Sequence, residues 1–194
     1  MTALSRAPGE FREPPFARFL FADTRAAWLW LVVRLYLGYE WLSAGLTKLG
    51  APAWTGDSAG AAVTGFAKGA LAKTGGEHPD VTDWYAGFLN GFVIPNAGLF
   101  GWLVTIGELA VGIALILGVL TGIAAFFGIM MNANYLLAGT VSTNPILIIL
   151  GTLIVLAWRN AGWIGLDRWL LPALGTPWQP GEVFVHEEPS ARPM

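Results

Sequence analysis

Arg34, Glu40 and Glu108 stand inside long apolar runs, and charges in such places restrict what the chain can fold into. The run over 26–49 reads WLWLVVRLYLGYEWLSAGLTKL through its body, and the run over 99–120 centres on VTIGELAVG. Each is long enough for a transmembrane helix, which takes about 20 apolar residues. A charged side chain near the bilayer centre costs about 2.5–3.5 kcal/mol on insertion scales, so it faces protein or water rather than lipid. These runs predict a helical bundle with a polar site inside it, which suits a membrane enzyme or transporter better than a simple anchor.

Composition supports the same class. The chain is 55% hydrophobic and 12% charged with a mean hydropathy of +0.56, against about 25% charged residues in soluble domains. A length of 194 residues fits one bundle of a few spans. Without cysteine there is no disulfide, no thiol nucleophile and no thiolate-ligated cluster or zinc within the chain. His78 and His186 both fall outside the apolar runs, which excludes an intramembrane bis-histidine haem, and no metal site is expected. The net charge is −2 and no basic patch appears, so nucleic acid is not an expected partner.

Three regions follow along the chain. Residues 1–24 are polar and rich in proline and arginine, with Phe16, Phe19, Leu20 and Phe21 able to lie on the membrane surface. Residues 25–171 form the membrane domain. Its first run exceeds the about 7–15 residues of a signal-peptide core, which favours a retained span. The stretch 99–140 is too long for one crossing and breaks at Gly118–Gly122 (GVLTG), so four spans are expected near 26–49, 99–118, 121–140 and 145–160. Short helices are expected over 58–73 and 80–92, in the loop between spans one and two, the second opened by Asp80 or Thr82. Residues 172–194 read as a disordered tail. Arg6, Arg12, Arg18, Arg25, Arg159, Arg168 and Arg192 flank one side of the spans, against Lys48, Lys68 and Lys73 on the other. That bias places both termini in the cytoplasm and the long loop outside. The expected fold is thus an all-α, multi-pass, four-helix transmembrane bundle in a prokaryotic plasma membrane.

Depth arithmetic gathers the polar residues. At about 1.5 Å per residue, Glu40, Glu108 and Asn132 each lie about 12–13 Å below the outer ends of their spans. Asn134 is slightly shallower and Arg34 about 9 Å deeper than Glu40, within partial reach by snorkelling. Arg34, Gly38, Trp41, Gly45 and Lys48 share one stripe of the first span, and Gly101, Thr105, Glu108 and Gly112 one stripe of the second. Small residues beside polar ones permit close helix approach and interhelical hydrogen bonds. Arg34 or Asn132 is the expected partner of Glu108. Such groups also serve as helix–helix glue with no ligand, which is the plainer reading of Asn132 and Asn134.

The segments RLYLGYEWLSAGLTKL, GELAVGIALILGVLTG, MNANYLLAG and GLDRWLLP, in that order, resemble the DoxX/DoxD family, most closely its DoxD-like branch. That branch is described as the large subunit of a thiosulfate:quinone oxidoreductase. The resemblance covers about 34–172, and the family patterns fall on Arg34, Gly38, Trp41, Gly45 and Lys48 and on Gly107, Glu108, Gly112 and Gly118. It implies four transmembrane helices, no tightly bound metal, oxidation of thiosulfate to tetrathionate, membrane quinone as acceptor and a second small subunit. Some relatives assemble with soluble redox enzymes instead. In such a protein Glu108 or Glu40 supplies protons to the quinone, with Arg34 opposing any rise of the carboxylate pKa. Asn132, Asn134 and Tyr135 hydrogen-bond its carbonyls, Trp41 stacks on its ring, and Lys48 draws in an anionic donor. The bilayer, the quinone, a small or soluble redox subunit and further copies of the chain are the partners this reading admits. Two rivals stand beside it: a non-enzymatic scaffold of a redox assembly, and a transporter of small solutes or lipids.

Overall fold

In the computed structural model, which describes residues 13–176, every regular element is a helix. The α-helices are α1 (Pro15–Ala22), α2 (Ala27–Leu49), α3 (Pro52–Thr55), α4 (Ala61–Leu71), α5 (Asp83–Phe88), α6 (Ala97–Leu117), α7 (Thr121–Leu137), α8 (Asn144–Leu156) and α9 (Asp167–Ala173). The four long ones form a bundle. Helices α3, α4 and α5 form a cap over one end, and the α6–α7 hairpin closes the other.

Small residues decide which helices touch. A Cβ at Gly112 would lie 2.5 Å from the backbone nitrogen of Leu42, and one at Gly45 2.9 Å from that of Leu109. Glycine at these places brings α2 and α6 into backbone contact, and they make the most extensive helix pair. Helices α7 and α8 pair next, with Gly151 against Ile129. The bundle core contains Trp30, Leu37, Trp41, Leu115, Ala125 and Ile154. A second core, including Val63, Ala67, Tyr85, Leu89 and Val93, lies under the cap. Outward-facing Leu99, Leu103, Ile106, Phe126, Phe127 and Ile149 remain more than half or about half exposed. An apolar exterior of this extent marks contact with lipid rather than water.

The hairpin break falls where the sequence places it. Gly118 adopts φ +69° and Leu120 φ +45°, and a non-glycine residue in the left-handed region is strained by about 1–2 kcal/mol. The Asp167 carboxylate holds that conformation by accepting from the backbone N–H groups of Leu120 (2.6 Å) and Thr121 (2.8 Å). Backbone bonds from Leu166 to Leu117 and from Asp167 to Gly118 dock the chain after α8 onto the hairpin. At the same end, Asn160 donates to the carbonyls of Leu20 and Asp23, and Trp30 to that of Leu20, fixing the amphipathic α1.

Three expectations on element limits need correction. The second span does not begin at residue 99, because helix runs without interruption from Asp83 to Leu117 through a π turn (Leu89–Val93) and a 3-10 turn (Ile94–Asn96). Pro95 lacks the N–H an α-turn would use, and the altered winding accommodates it. This 35-residue helix is, among the described residues, the one long and apolar enough by itself to cross a membrane. The expected spans 121–140 and 145–160 reduce to α7 and α8, about 26 and 20 Å long, since turns at 138–143 and 157–166 end them. The loop helix expected over 58–73 is α4, and the tail expected to be disordered lies, beyond Thr176, outside the described residues.

Candidate functional site

Glu108 sits in the middle of α6 with 1% of its surface exposed, where an isolated carboxylate would be prohibitively costly. Lys48, in the last turn of α2, answers its charge: Nζ lies 2.7 Å from one carboxylate oxygen and 2.9 Å from the other. The Tyr135 hydroxyl of α7 donates to Oε1 at 2.8 Å. Three helices therefore meet at one carboxylate. The Lys48 ammonium lies 5.0 Å from the centre of the Trp54 ring in α3, a cation–π contact that covers it from the cap side. Its side chain keeps 17% exposure against 1% for Glu108, so Lys48 is the more accessible member of the ion pair.

Beside the triad lies a cavity of about 220 Å³ at the junction of the two cores. Trp54, Phe66 and Phe88 wall it from the cap, Phe100 from the first turn of α6, and Met131, Asn134 and Tyr135 from α7. Phe66 meets the Tyr135 ring edge-on at 6.0 Å between centroids. Two bonds tie the cap to α7 and the turn after it, and of these the Tyr85 bond lies at the cavity. Lys73 donates to the carbonyl of Gly139 at 2.6 Å, and the Tyr85 hydroxyl to that of Asn134 at 3.0 Å. An aromatic-walled space lined by the two phenols of Tyr85 and Tyr135 and one amide, Asn134, suits a flat, largely apolar ring with a few polar atoms.

Arg34 is not the partner of Glu108. It lies near the hairpin end of α2, about 21 Å along the helix from Lys48. There its Nη2 donates to the carbonyl of Ile164 at 2.7 Å, and Asp167 is the acidic group whose field reaches it. Gly118 and Gly165 lie directly against the guanidinium, and no side chain larger than hydrogen fits at either place. Asn132 does not bond Glu108 either. It is 1% exposed, and neither its Nδ2 nor its Oδ1 has a hydrogen-bond partner among the described residues. Trp41 is buried against Gly128 of α7 rather than on the cavity wall. Glu40 is half-buried on a flank of α2 and takes part in no ion pair among the described residues.

Of the residues singled out in the sequence, the structure thus joins Glu108, Lys48 and Tyr135 and sets Asn134 on the cavity rim. Arg34, Glu40, Trp41 and Asn132 stand apart from it. The wall aromatics Trp54, Phe66 and Phe88 of the cap and Phe100 of α6 are not among the residues the sequence singles out. The local aromatic spacing of Trp84, Tyr85, Phe88 and Phe92 is the one signal in the sequence that points toward this wall. Among the described residues no group of three or more His, Asp or Glu side chains gathers to hold a metal ion.

An all-helical bundle with a lipid-like exterior and a buried ion pair at its centre defines a membrane protein with an internal polar site. The DoxX family model matches residues 29–139, more than half of the chain, and the protein belongs to the DoxX family, whose members are membrane proteins. Among curated proteins and among solved structures no match is found.

Proposed function

We propose that this protein is a multi-pass oxidoreductase subunit of a prokaryotic plasma membrane, passing electrons from an external sulfur donor such as thiosulfate to membrane quinone. In this reading α2, α6, α7 and α8 are the four crossings, the turn 157–166 completes the last, and the cap faces outward. The observation that carries the reading is the Lys48–Glu108–Tyr135 triad set against an aromatic-walled cavity. DoxX membership supports a membrane redox role at a coarser level.

The quinone ring occupies the cavity with one carbonyl toward the Tyr135 hydroxyl. Two thiosulfate ions joining as tetrathionate release two electrons, and the quinone takes these with two protons to become quinol. The Tyr135 hydroxyl turns from Glu108 to the ring and gives one proton to the reduced oxygen facing it, and Glu108 restores that proton from Lys48, the more accessible member of the ion pair. The second proton reaches the other ring oxygen from water at the capped side. Proton uptake then occurs from the capped side. With its ammonium already neutralised by Glu108, Lys48 serves this relay rather than capture of a dianion. No electron carrier within the chain is needed if the donor, or a partner subunit, meets the ring at the cap.

The test is quinone reduction by the purified protein in lipid, with a panel of sulfur donors that includes thiosulfate. Tyr135→Phe and Glu108→Gln are expected to slow turnover about 100-fold or more with a smaller change in quinone affinity. Unchanged turnover in both variants removes the triad from the mechanism. Absence of donor-dependent reduction, with or without partner subunits, leaves the scaffold reading in its place.

A further inference from the structure

The cavity beside Tyr135 has a second space for its neighbour. A groove of about 500 Å³ runs along the seam of α6 and α7 and shares Leu103, Met131 and Asn134 with the cavity wall. These three residues separate the two spaces, so one molecule reaches both if the flexible Met131 side chain moves aside. From Leu103 the groove continues to Val119 and Leu120 at the hairpin, about 24 Å down the helix axis. Gly107, Ala110 and Ala114 form its floor on α6, with Ile123, Phe127 and Met130 along the α7 side. The seam is open because α6 and α7, although joined by a tight turn, pack on each other much less than α2 on α6 or α7 on α8. At the neck, the Met131 sulfur lies 3.3 Å from where a Cβ on Gly107 would sit. Glycine there keeps the passage wide, and the flexible thioether beside it can move aside.

We infer that the α6–α7 groove holds the single isoprenoid tail of the quinone whose ring lies in the cavity, with Met131 and Gly107 as the neck between them. This rests on the proposed function and specifies its substrate as a tailed, membrane-resident quinone. The shared wall makes the tail, rather than an unrelated phospholipid chain, the fitting occupant. A floor of glycine and alanine between two rows of larger side chains is one chain wide. The groove opens to the exterior along its length, with Leu103, Ile123, Phe127 and Met130 each about half exposed or more, so the tail slides in from the bilayer without leaving it.

The experiment uses the full chain in phosphatidylcholine vesicles and two benzoquinone probes with the same ring, one with an isoprenoid tail carrying a diazirine and one without a tail. Photolysis is expected to label α6 near Ala110 and Ala114 and α7 near Ile123 and Phe127, with labelling competed by unlabelled tailed quinone and not by added phospholipid. Ala110→Phe and, separately, Ala114→Leu fill the groove. Each is expected to weaken the tailed probe about tenfold and leave the tail-less probe unchanged, whereas Tyr135→Phe weakens both. Labelling outside the two helices, equal competition by phospholipid, or unchanged affinity of the tailed probe in both groove variants overturns the groove. In those outcomes the ring site still stands if Tyr135→Phe weakens the tail-less probe. Failure of both probes to bind the unaltered protein overturns groove and ring site together.

Discussion

Glu108 is the residue on which the bundle's polar interior turns. It is almost fully buried and is held by one ammonium and one phenol from two other helices. Removing one member of a buried ion pair strands the other, at about 3–5 kcal/mol. Glu108→Leu is therefore expected to lower stability by about 3 kcal/mol, the lower end because Lys48 retains some contact with water. Glu108→Gln keeps the shape and an acceptor for Tyr135 and is expected to lose less. Thermal unfolding of the detergent-solubilised variants measures both, and equal stability of wild type and Glu108→Leu would contradict the pairing. The charge in an apolar run made Glu108 legible in the sequence. Its partner was not, because Arg34 and Lys48 lie on the same stripe of α2 and differ only in height. Counting depth from residue 99 sets the top of α6 too low, since the helix begins at Asp83. Only the docking of α2 against α6 through Gly38, Gly45 and Gly112 fixes which cation meets the carboxylate.

At the scale of elements, the hairpin end depends on Asp167. Its carboxylate caps α7 from a distant part of the chain by accepting from Leu120 and Thr121. Replacing an N-capping side chain by alanine costs about 0.5–2 kcal/mol, and this one also faces the buried Arg34. Asp167→Ala is expected to reach the upper end of that range and to speed hydrogen exchange in the first turn of α7, while exchange under the cap stays unchanged. A second acidic group at this end gives a pH signature. The Arg25 side chain and backbone N–H both donate to Asp23 and hold its carboxyl down to about 2, from an ordinary value of 3.8. Because the folded value is the lower one, its stabilising contribution is present above about pH 4 and is lost as pH falls through about 2. Asp23→Asn is expected to melt below wild type at pH 6 and level with it below pH 2, and a constant difference across that window would contradict the contact. The helix type of each apolar run and the break at GVLTG were legible from length, glycine placement and hydropathy. The merging of α5 with α6 was not, because Pro95 reads locally as a stop, and only the π turn before it lets the helix continue.

For the whole molecule, the orientation in the membrane is the first thing to settle. On the proposed reading the arginine bias predicts both termini in the cytoplasm, with the cap and the Lys48 side of the triad outside. The native chain has no cysteine, so single Ser58→Cys and Ser190→Cys variants report cleanly. An impermeant thiol reagent on intact cells is expected to label position 58 and not 190, and the reverse pattern would invert the proposed direction of proton uptake. The sequence by itself determined an all-helical membrane chain, its four apolar helices, the hairpin turn and the need of the Glu108 charge for a partner. Those follow from hydropathy, periodicity and the cost of burying charge, all of which act locally along the chain. The tertiary structure alone decided that Lys48 and Tyr135, not Arg34, complete the site, that Asp167 caps a helix 46 residues earlier, and that cap aromatics wall a cavity. These depend on the relative height and rotation of packed helices. Backbone contact at a few glycines sets both, and no local pattern records it.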